Sequence, residues 1–496
     1  MASVGKEDLS VPEQVEVKVV GERTDLVRRF SLLSCLGMAF AMLNSWTGDL
    51  SLVLPSGGSI SMVWGLAVST LGTLAMCVSL AEVCHIFPAA GGQYDWAYLL
   101  APARMKNGLG YFVGWMATAG WVALPATGSS LGANFIVGII SLWYPDYEAQ
   151  RYQTFLIYMA FTIGAFLLNM YCVKILPFVE HSAFIWSLVG IVVVIITLLA
   201  CQHGDYQSGK AVFATFTNQT GWPDGMAFIL GLLQSVFGLT GFDAVSHLVE
   251  EMPRPSVNAP KVMIIAVLLG ASTSWVFTVV LLLTLTNVEE AINSAAGPLL
   301  EIYYQAVSNR AGATCLVMFN VGAMAFATQG LMTVASRMVM TLARDQGVGH
   351  LSPWLSHVSP RLEVPTWSII FTTIWVIIFG LICIICFTFV SIPAHILVCL
   401  VVFRGNKVFA DQPHKYSLGR WRKPIGIFAM IFLFVTSICF VFPPFIPVTT
   451  GTDMNYVIVV VAMVVLLCAG SWFTHGRTHY HGPWELEKRV QTARML

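Results

Sequence analysis

Charge is what this sequence has least of. Of its 496 residues, 10% are Asp, Glu, Lys or Arg and 56% are apolar, where a soluble globular chain carries about 25% charged residues. Mean hydropathy is +0.74. A soluble fold of this composition would lack the polar surface to cover its core. That excludes a cytosolic enzyme, a secreted disulfide scaffold and a disordered chain. Basic and acidic residues balance at 26 each, so no basic excess exists to draw nucleic acid. There is no G-x-x-x-x-G-K-[ST] loop of an ATP-driven pump and no H-E-x-x-H. The first 29 residues are polar and charged, without the apolar core of a cleavable signal peptide.

Cysteines number eleven, and all except Cys201 lie in or beside apolar runs. Cys383 and Cys386 form a C-x-x-C, but the surrounding run is of membrane type, not a redox or zinc loop.

What the sequence does have is long apolar runs. A membrane helix needs roughly 20 predominantly apolar residues. Such runs lie near 30–54, 60–85, 108–141, 154–172, 178–201, 225–249, 262–286, 311–343, 366–387, 389–404, 424–444 and 455–474. The ninth and tenth share one apolar stretch from Trp367 to Phe403, divided by Ser391, Pro393 and His395. Charge placement agrees with twelve spans. With the N-terminus inside, only Arg151, Lys210 and Arg310 of the 26 basic residues fall on outer segments, as the positive-inside rule requires. Both termini are then expected in the cytoplasm. The N-x-S/T sequon at Asn218 falls in the expected outer loop 202–224 and makes Asn218 a candidate glycosylation site.

Chemistry should sit where polar residues interrupt the spans, because a charge at membrane depth usually faces a cavity or a partner. In the first span, Asn44-Ser45-Trp46-Thr47-Gly48-Asp49 breaks the apolar run; in the sixth, Gly238-Leu239-Thr240-Gly241-Phe242-Asp243 does the same. Glycine-interrupted spans in corresponding positions of two halves point to a transporter site. With five spans per repeat the sixth is the counterpart of the first, entering from the opposite side. Asp49 and Asp243 are candidates for a proton carrier or for the counter-ion of a cationic group. Glu82, Glu250 and Glu251 close spans at the inner face, where gate or loop contacts are expected. His247 would share a helix face with Asp243. Gly128-Ser129-Ser130-Leu131-Gly132 matches G-x-S-x-G but lies inside a long apolar helix, where small residues let helices approach.

Several blocks resemble one family. Phe242-Asp243-Ala244-Val245-Ser246-His247-Leu248-Val249-Glu250-Glu251-Met252-Pro253-Arg254-Pro255 is similar to the signature after the broken sixth helix of fungal amino acid/choline permeases, members of the amino acid–polyamine–organocation superfamily. So are Asn44-Ser45-Trp46, Phe87-Pro88-Ala89-Ala90-Gly91-Gly92-Gln93-Tyr94, Ala335-Ser336-Arg337 with Ala343-Arg344-Asp345, and Asp453-Met454-Asn455-Tyr456. The resemblance runs from about residue 28 to 483. It implies substrate bound between the broken helices, with the third and eighth spans alongside. The substrate-binding residues would be Asn44, Ser45, Trp46, Thr47, Gly238, Thr240, Gly241 and Phe242. Trp46 or Phe242 could cover an amine by cation–π contact. Against the family pattern, Asp49 tilts the expectation towards a cationic substrate. The ninth and tenth spans look short by about fifteen residues, and the fifth lacks the lysine that replaces a sodium site in some proton-coupled relatives.

The expected protein is all-α and membrane-embedded, with about twelve helices in a five-plus-five inverted repeat and broken first and sixth helices. A tail of residues 1–29 precedes the transporter domain 30–474, whose repeats cover about 30–201 and 225–404 and are followed by two helices at 424–474. Residues 475–496 form the second tail. The expected activity is that of a secondary active permease for small amino-containing solutes such as amino acids, choline or γ-aminobutyrate. It would be coupled to an ion, a proton in preference to sodium, without enzymatic chemistry, cofactor or metal. The alternatives are a carrier or exporter of an amine or alkaloid metabolite and a nutrient receptor on a transporter fold. Short tails argue against the receptor. The expected location is the plasma membrane, with a vacuolar or other internal membrane as the alternative.

Overall fold

A computed structural model describes residues 30–48, 50–202, 206–382, 387–410, 416–449 and 454–483. Asp49, Cys383 and Cys386 lie outside the described residues. The helices in chain order are α1 (Leu32–Leu43), α2 (Gly58–Ile86), α3 (Gln93–Leu100), α4 (Lys106–Trp143), α5 (Arg151–Tyr171), α6 (Leu176–Cys201), α7 (Gly209–Ala214) and α8 (Asp224–Gly238). A 3-10 segment, Phe242–Glu251, separates α8 from α9 (Pro255–Thr284). Then follow α10 (Val288–Asn293), α11 (Pro298–Val307), α12 (Arg310–Arg344), α13 (Ser352–Leu355), α14 (Thr366–Ile382), α15 (Phe387–Phe409), α16 (Arg422–Cys439) and α17 (Val457–Ser471). No strand is named among the described residues; Ser56 and Asn218 make one isolated bridge.

Ten helices are long and apolar enough to cross a membrane, and two shorter apolar helices, Leu32–Leu43 and Thr366–Leu381, supply the first and ninth expected spans. The crowded hairpin is accommodated because α15 runs on to Phe409, five residues beyond the expected end. The short helices α3, α10 and α11 were not legible as spans, since none has the length to be one.

The bundle is turned inside out relative to a soluble protein. Leu156, Phe178, Leu466 and Phe473 are more than 60% exposed, whereas Asn169, Glu180, Asp243, Asn320 and Gln329 are buried. Lipid offers no driving force between apolar helices, so close packing and polar contacts hold them together. The G-x-S-x-G stretch illustrates this. A Cβ at Gly128 would lie 2.7 Å from Thr328 Oγ1 of α12, and one at Gly132 2.7 Å from Phe161 of α5. Ser129 Oγ meets Thr162 Oγ1 at 3.1 Å. The stretch is a packing seam joining α4 to both neighbours.

The first and sixth spans depart most from continuous helices. α1 starts from a capping box between Ser31 and Ser34 and stops at Asn44, whose φ of 42° lies in the left-handed region that Asn tolerates. Among the described residues from Ser45 to Gly57 there is no helix, only turns and irregular backbone. The expectation of a span reaching residue 54 is therefore corrected: only its first half is helix. The sixth span breaks after Gly238 and resumes at Phe242 as a 3-10 helix, with Gly241 at φ 99°. Glycine alone takes that conformation without a Cβ clash.

Candidate functional site

The two breaks face each other. A Cβ at Gly238 would lie 3.2 Å from Ser45 Cα, so glycine is what allows the backbones to meet there. On one side of that contact the start of α1 joins the end of the sixth span, Phe30 N–H donating to Glu251 O at 3.1 Å. On the other side the chain after the first break lies on α8: a Cβ at Gly48 would strike Gln234, and one at Gly231 would lie 2.3 Å from Ser56 O. The two spans thus run in opposite directions and cross at their breaks.

α9 holds the first break in place. Ser45 Oγ donates to Gly270 O at 2.9 Å, and Ser274 Oγ donates to Ser45 O at 2.7 Å. Trp46 is buried, edge-on to Phe277 with ring centroids 5.6 Å apart. Asn44 Nδ2 donates to Met324 Sδ of α12 at 3.4 Å, while its Oδ1 is buried without a partner. Thr47 Oγ1 turns back to Asn44 O, and Thr240 Oγ1 to Val236 O. The ends of α1 and α8 leave carbonyls without helical partners at the breaks, and the start of the 3-10 segment leaves N–H groups. The first pair favours a cation and the second an anion.

Two small cavities flank the septum. One, of about 30 Å³, is lined by Ser45, Trp46, Gly48, Gln234 and Ser274 among others. The other, of about 20 Å³, is lined by Thr240, Gly241, Phe242, Asp243 and Gln93 among others. Each has room for only one or two water molecules. The eight expected substrate residues are thus divided: Ser45 and Trp46 border one cavity, Thr240, Gly241 and Phe242 the other, and Asn44, Thr47 and Gly238 border neither.

The amino acid permease family profile matches residues 30–464. The chain belongs to the amino acid permease family. It is 30% identical to the choline transporter of Saccharomyces cerevisiae, over 98% of this chain and 90% of that protein. It is 29% identical to the swainsonine transporter of Arthroderma benhamiae, over 97% of each. The solved structure of MhsT in complex with L-phenylalanine shares its fold, with a TM-score of 0.59 at 12% identity, covering 82% of this chain and 97% of that one. The protein is a multi-pass transmembrane transporter and not an enzyme.

At the Glu251 end of the permease, the blocks at 87–94, 242–255, 335–337 and 343–345 come together. The loop before α3 and the first residue of α3 dock on the 3-10 segment: Gln93 Nε2 donates to Asp243 Oδ2 at 2.5 Å, and His247 Nδ1 meets Ala90 O at 3.0 Å. The expectation that His247 shares a face with Asp243 is corrected, because a 3-10 helix has three residues per turn and sends the two side chains to different partners. Each of the three expected gate acids pairs with an arginine. Arg337 Nε meets Glu251 Oε1 at 3.0 Å, Arg344 Nη1 meets Glu250 Oε1 at 2.8 Å, and Arg422 Nη2 meets Glu82 Oε1 at 2.7 Å. Outside the spans, Tyr94 O–H donates to Asp345 Oδ2 at 2.8 Å. Burial, then the nearby Asp345 charge, pushes the Asp95 carboxyl well above the usual carboxylate range, against the hydrogen bond it accepts from Gly91 N–H.

Asn218 sits half-buried, its Nδ2 donating to Trp222 O at 2.7 Å and to Asp224 Oδ1 at 2.8 Å. Sequence reading gave no role to Gln93, although it stood in a quoted block, nor to Glu180, Asn169, Gln329 and Thr333. A lone polar residue on an apolar helix carries no mark of the face it will present.

Proposed function

We propose that this permease is a secondary active carrier for small amino-containing solutes, with choline, γ-aminobutyrate and amino acids as the substrate class, cycling by alternating access. The observation that carries the reading is the Ser45–Gly238 contact with a cavity on either side. A septum where two oppositely directed broken helices meet can be opened to one side at a time if one pair of half-helices tilts. The α1 and α8 carbonyl ends suit an ammonium group, and the N–H groups at Phe242 suit a carboxylate. Trp46 and Phe242 are the aromatic faces beside these ends. Asp243 borders the second cavity as the counter-ion or coupling group, and Asp49 is retained in the same role from its position in the first break. The reading has both termini in the cytoplasm, supported by the inward bias of Lys and Arg, uptake across the plasma membrane, and a proton as the driving ion.

Uptake of labelled choline, γ-aminobutyrate and a neutral amino acid in permease-deficient cells tests it, at acidic and neutral outside pH, with and without sodium. Acid-stimulated uptake of one of them is the expected result. The similarity to a swainsonine transporter supports a second reading, a carrier or exporter of an amine or alkaloid metabolite. Failure of all three solutes with the protein at the surface would move the assignment there.

A further inference from the structure

Glu180 on α6 is a buried acid, 1% exposed, whose two carboxyl oxygens have no hydrogen-bond partner. It lies under α1, since a Cβ at Gly37 would come within 2.8 Å of Glu180 O, and against α12, where a Cβ at Gly330 would lie 3.5 Å from Glu180 Oε1. The polar side chain facing the carboxyl is Gln329 of α12.

The polar side chains of α5 and α12 nearest Glu180 are committed to one another. Asn169 Nδ2 donates to Ala165 O at 3.0 Å and to Gln329 O at 3.1 Å, which fixes that amide and leaves its Oδ1 as an acceptor. Thr333 Oγ1 lies 2.6 Å from Asn169 Oδ1 and 3.1 Å from Gln329 O, and its single proton goes to the shorter contact. Thr333 can then only accept from Gln329, whose Nε2 stands 3.1 Å away. Gln329 Oε1 is left as a buried acceptor without a donor. With no hydrogen bond to either buried oxygen, a carboxylate at Glu180 is left uncompensated, whereas the neutral acid brings no charge that needs compensating.

We propose that Glu180 is the proton-binding residue of the transport cycle. This rests on the proton-coupled reading above and names its site. A proton from water on one side of the membrane converts the carboxylate to the neutral acid, which lets α1 settle over it. When α1, which carries the first break, tilts away, the acid meets water and releases the proton on the other side. The ionisable groups around it are few. Cys35 faces it from α1, with Glu251 beyond, and Glu251 is tied to Arg337. On α9 the ionisable residue is Lys261, which is exposed. On α11, Glu301 is bonded to Ser294 and Tyr303 to Asn320.

The test uses the purified full-length chain in lipid vesicles, comparing wild type with Glu180→Gln, whose amide can replace the acid's donor. Infrared difference spectra across a pH step read the carbonyl band of a protonated carboxylic acid without needing a substrate. The expected result is a component of that band present in wild type and lost in Glu180→Gln, beside any contribution from Asp95 that both proteins share. In the same vesicles, Glu180→Gln should exchange labelled choline, γ-aminobutyrate or alanine across the membrane but lose accumulation driven by an inward proton gradient. A band unchanged between wild type and Glu180→Gln overturns the proposal, as does gradient-driven accumulation equal to wild type, or accumulation that follows sodium and ignores pH. Loss of the band with no uptake of any probe by wild type supports the acid at Glu180 while sinking the substrate reading, so the two failures are distinguishable. Glu180→Asp keeps an acid and should move the band rather than abolish it, which guards against a variant that merely folds poorly.

Discussion

Gln93 and Asp243, 150 positions apart in the chain, meet in a buried hydrogen bond of 2.5 Å from the amide nitrogen to the carboxyl oxygen. That contact fastens the loop after the second span to the segment that resumes the broken sixth span. It also leaves Asp243 on the wall of the second cavity. The aspartate is thus held in place on that wall by a neutral partner.

Asp243→Asn should therefore weaken cationic solutes above all. The expected result is a rise in KM for choline of about tenfold or more, worth ~1.4 kcal/mol or more, with smaller loss for a zwitterionic amino acid. Radiolabel uptake normalised to surface protein checks it; equal losses for both would show a structural Asp243.

Gly238 tests the septum. Gly238→Leu pushes side-chain atoms into Ser45, and overpacking of this kind costs about 1–3 kcal/mol. Transport should be abolished while the protein still reaches the membrane. Gly238→Ala, with one carbon 3.2 Å from Ser45 Cα, should be only partly impaired. Wild-type rates in the leucine variant would mean that the two breaks do not need to touch.

The charge pairs at the Glu251 end should differ in weight. Arg337 and Glu251 have side chains 1% and 3% exposed, so Glu251→Gln leaves a buried guanidinium uncompensated, at a cost of about 3–5 kcal/mol. Arg344 and Glu250 are 25% and 18% exposed, and water screens the loss in Glu250→Gln to about 1 kcal/mol. Thermal unfolding of the detergent-solubilised variants should rank them in that order; the reverse order would refute it.

Asp95 gives a pH signature. Burial first, then Asp345, raises its folded carboxyl above the ordinary range, so the folded chain holds the proton more tightly than the unfolded chain does. Above about pH 4 the unfolded state ionises first. Stability is then lost as pH rises, until the raised folded value is passed. Asp95→Asn keeps an acceptor for Gly91 N–H and removes the titration, so its melting temperature should fall less than that of wild type over the same pH rise. Parallel curves would show that Asp95 does not titrate in this range.

The span count, the helix breaks and the family were legible because each depends on local chemistry. Twenty apolar residues in a row must cross lipid as helix whatever packs beside them, and glycine with short polar residues marks where that helix can open. The length of the first half-helix was less legible: Asn44 ends it, and the turns that follow are stabilised by α8 and α9, not by their own sequence. Polar residues on apolar runs were read only where they clustered. Glu180 was passed over because a single acid near the start of a run resembles an end residue, and burial by α1 and α12 is not written in α6.

By itself, then, the sequence determined that this chain spans a membrane on mostly apolar helices, that two spans break, and that the protein is a permease. Hydrophobic run length and backbone freedom act within one segment. Tertiary structure decided that Ser45 meets Gly238, that Glu82, Glu250 and Glu251 each find an arginine, and that Glu180 faces Gln329. Those outcomes depend on the rotation and crossing of helices distant in the chain, which are set by how small residues such as Gly37, Gly128 and Gly330 let neighbours approach.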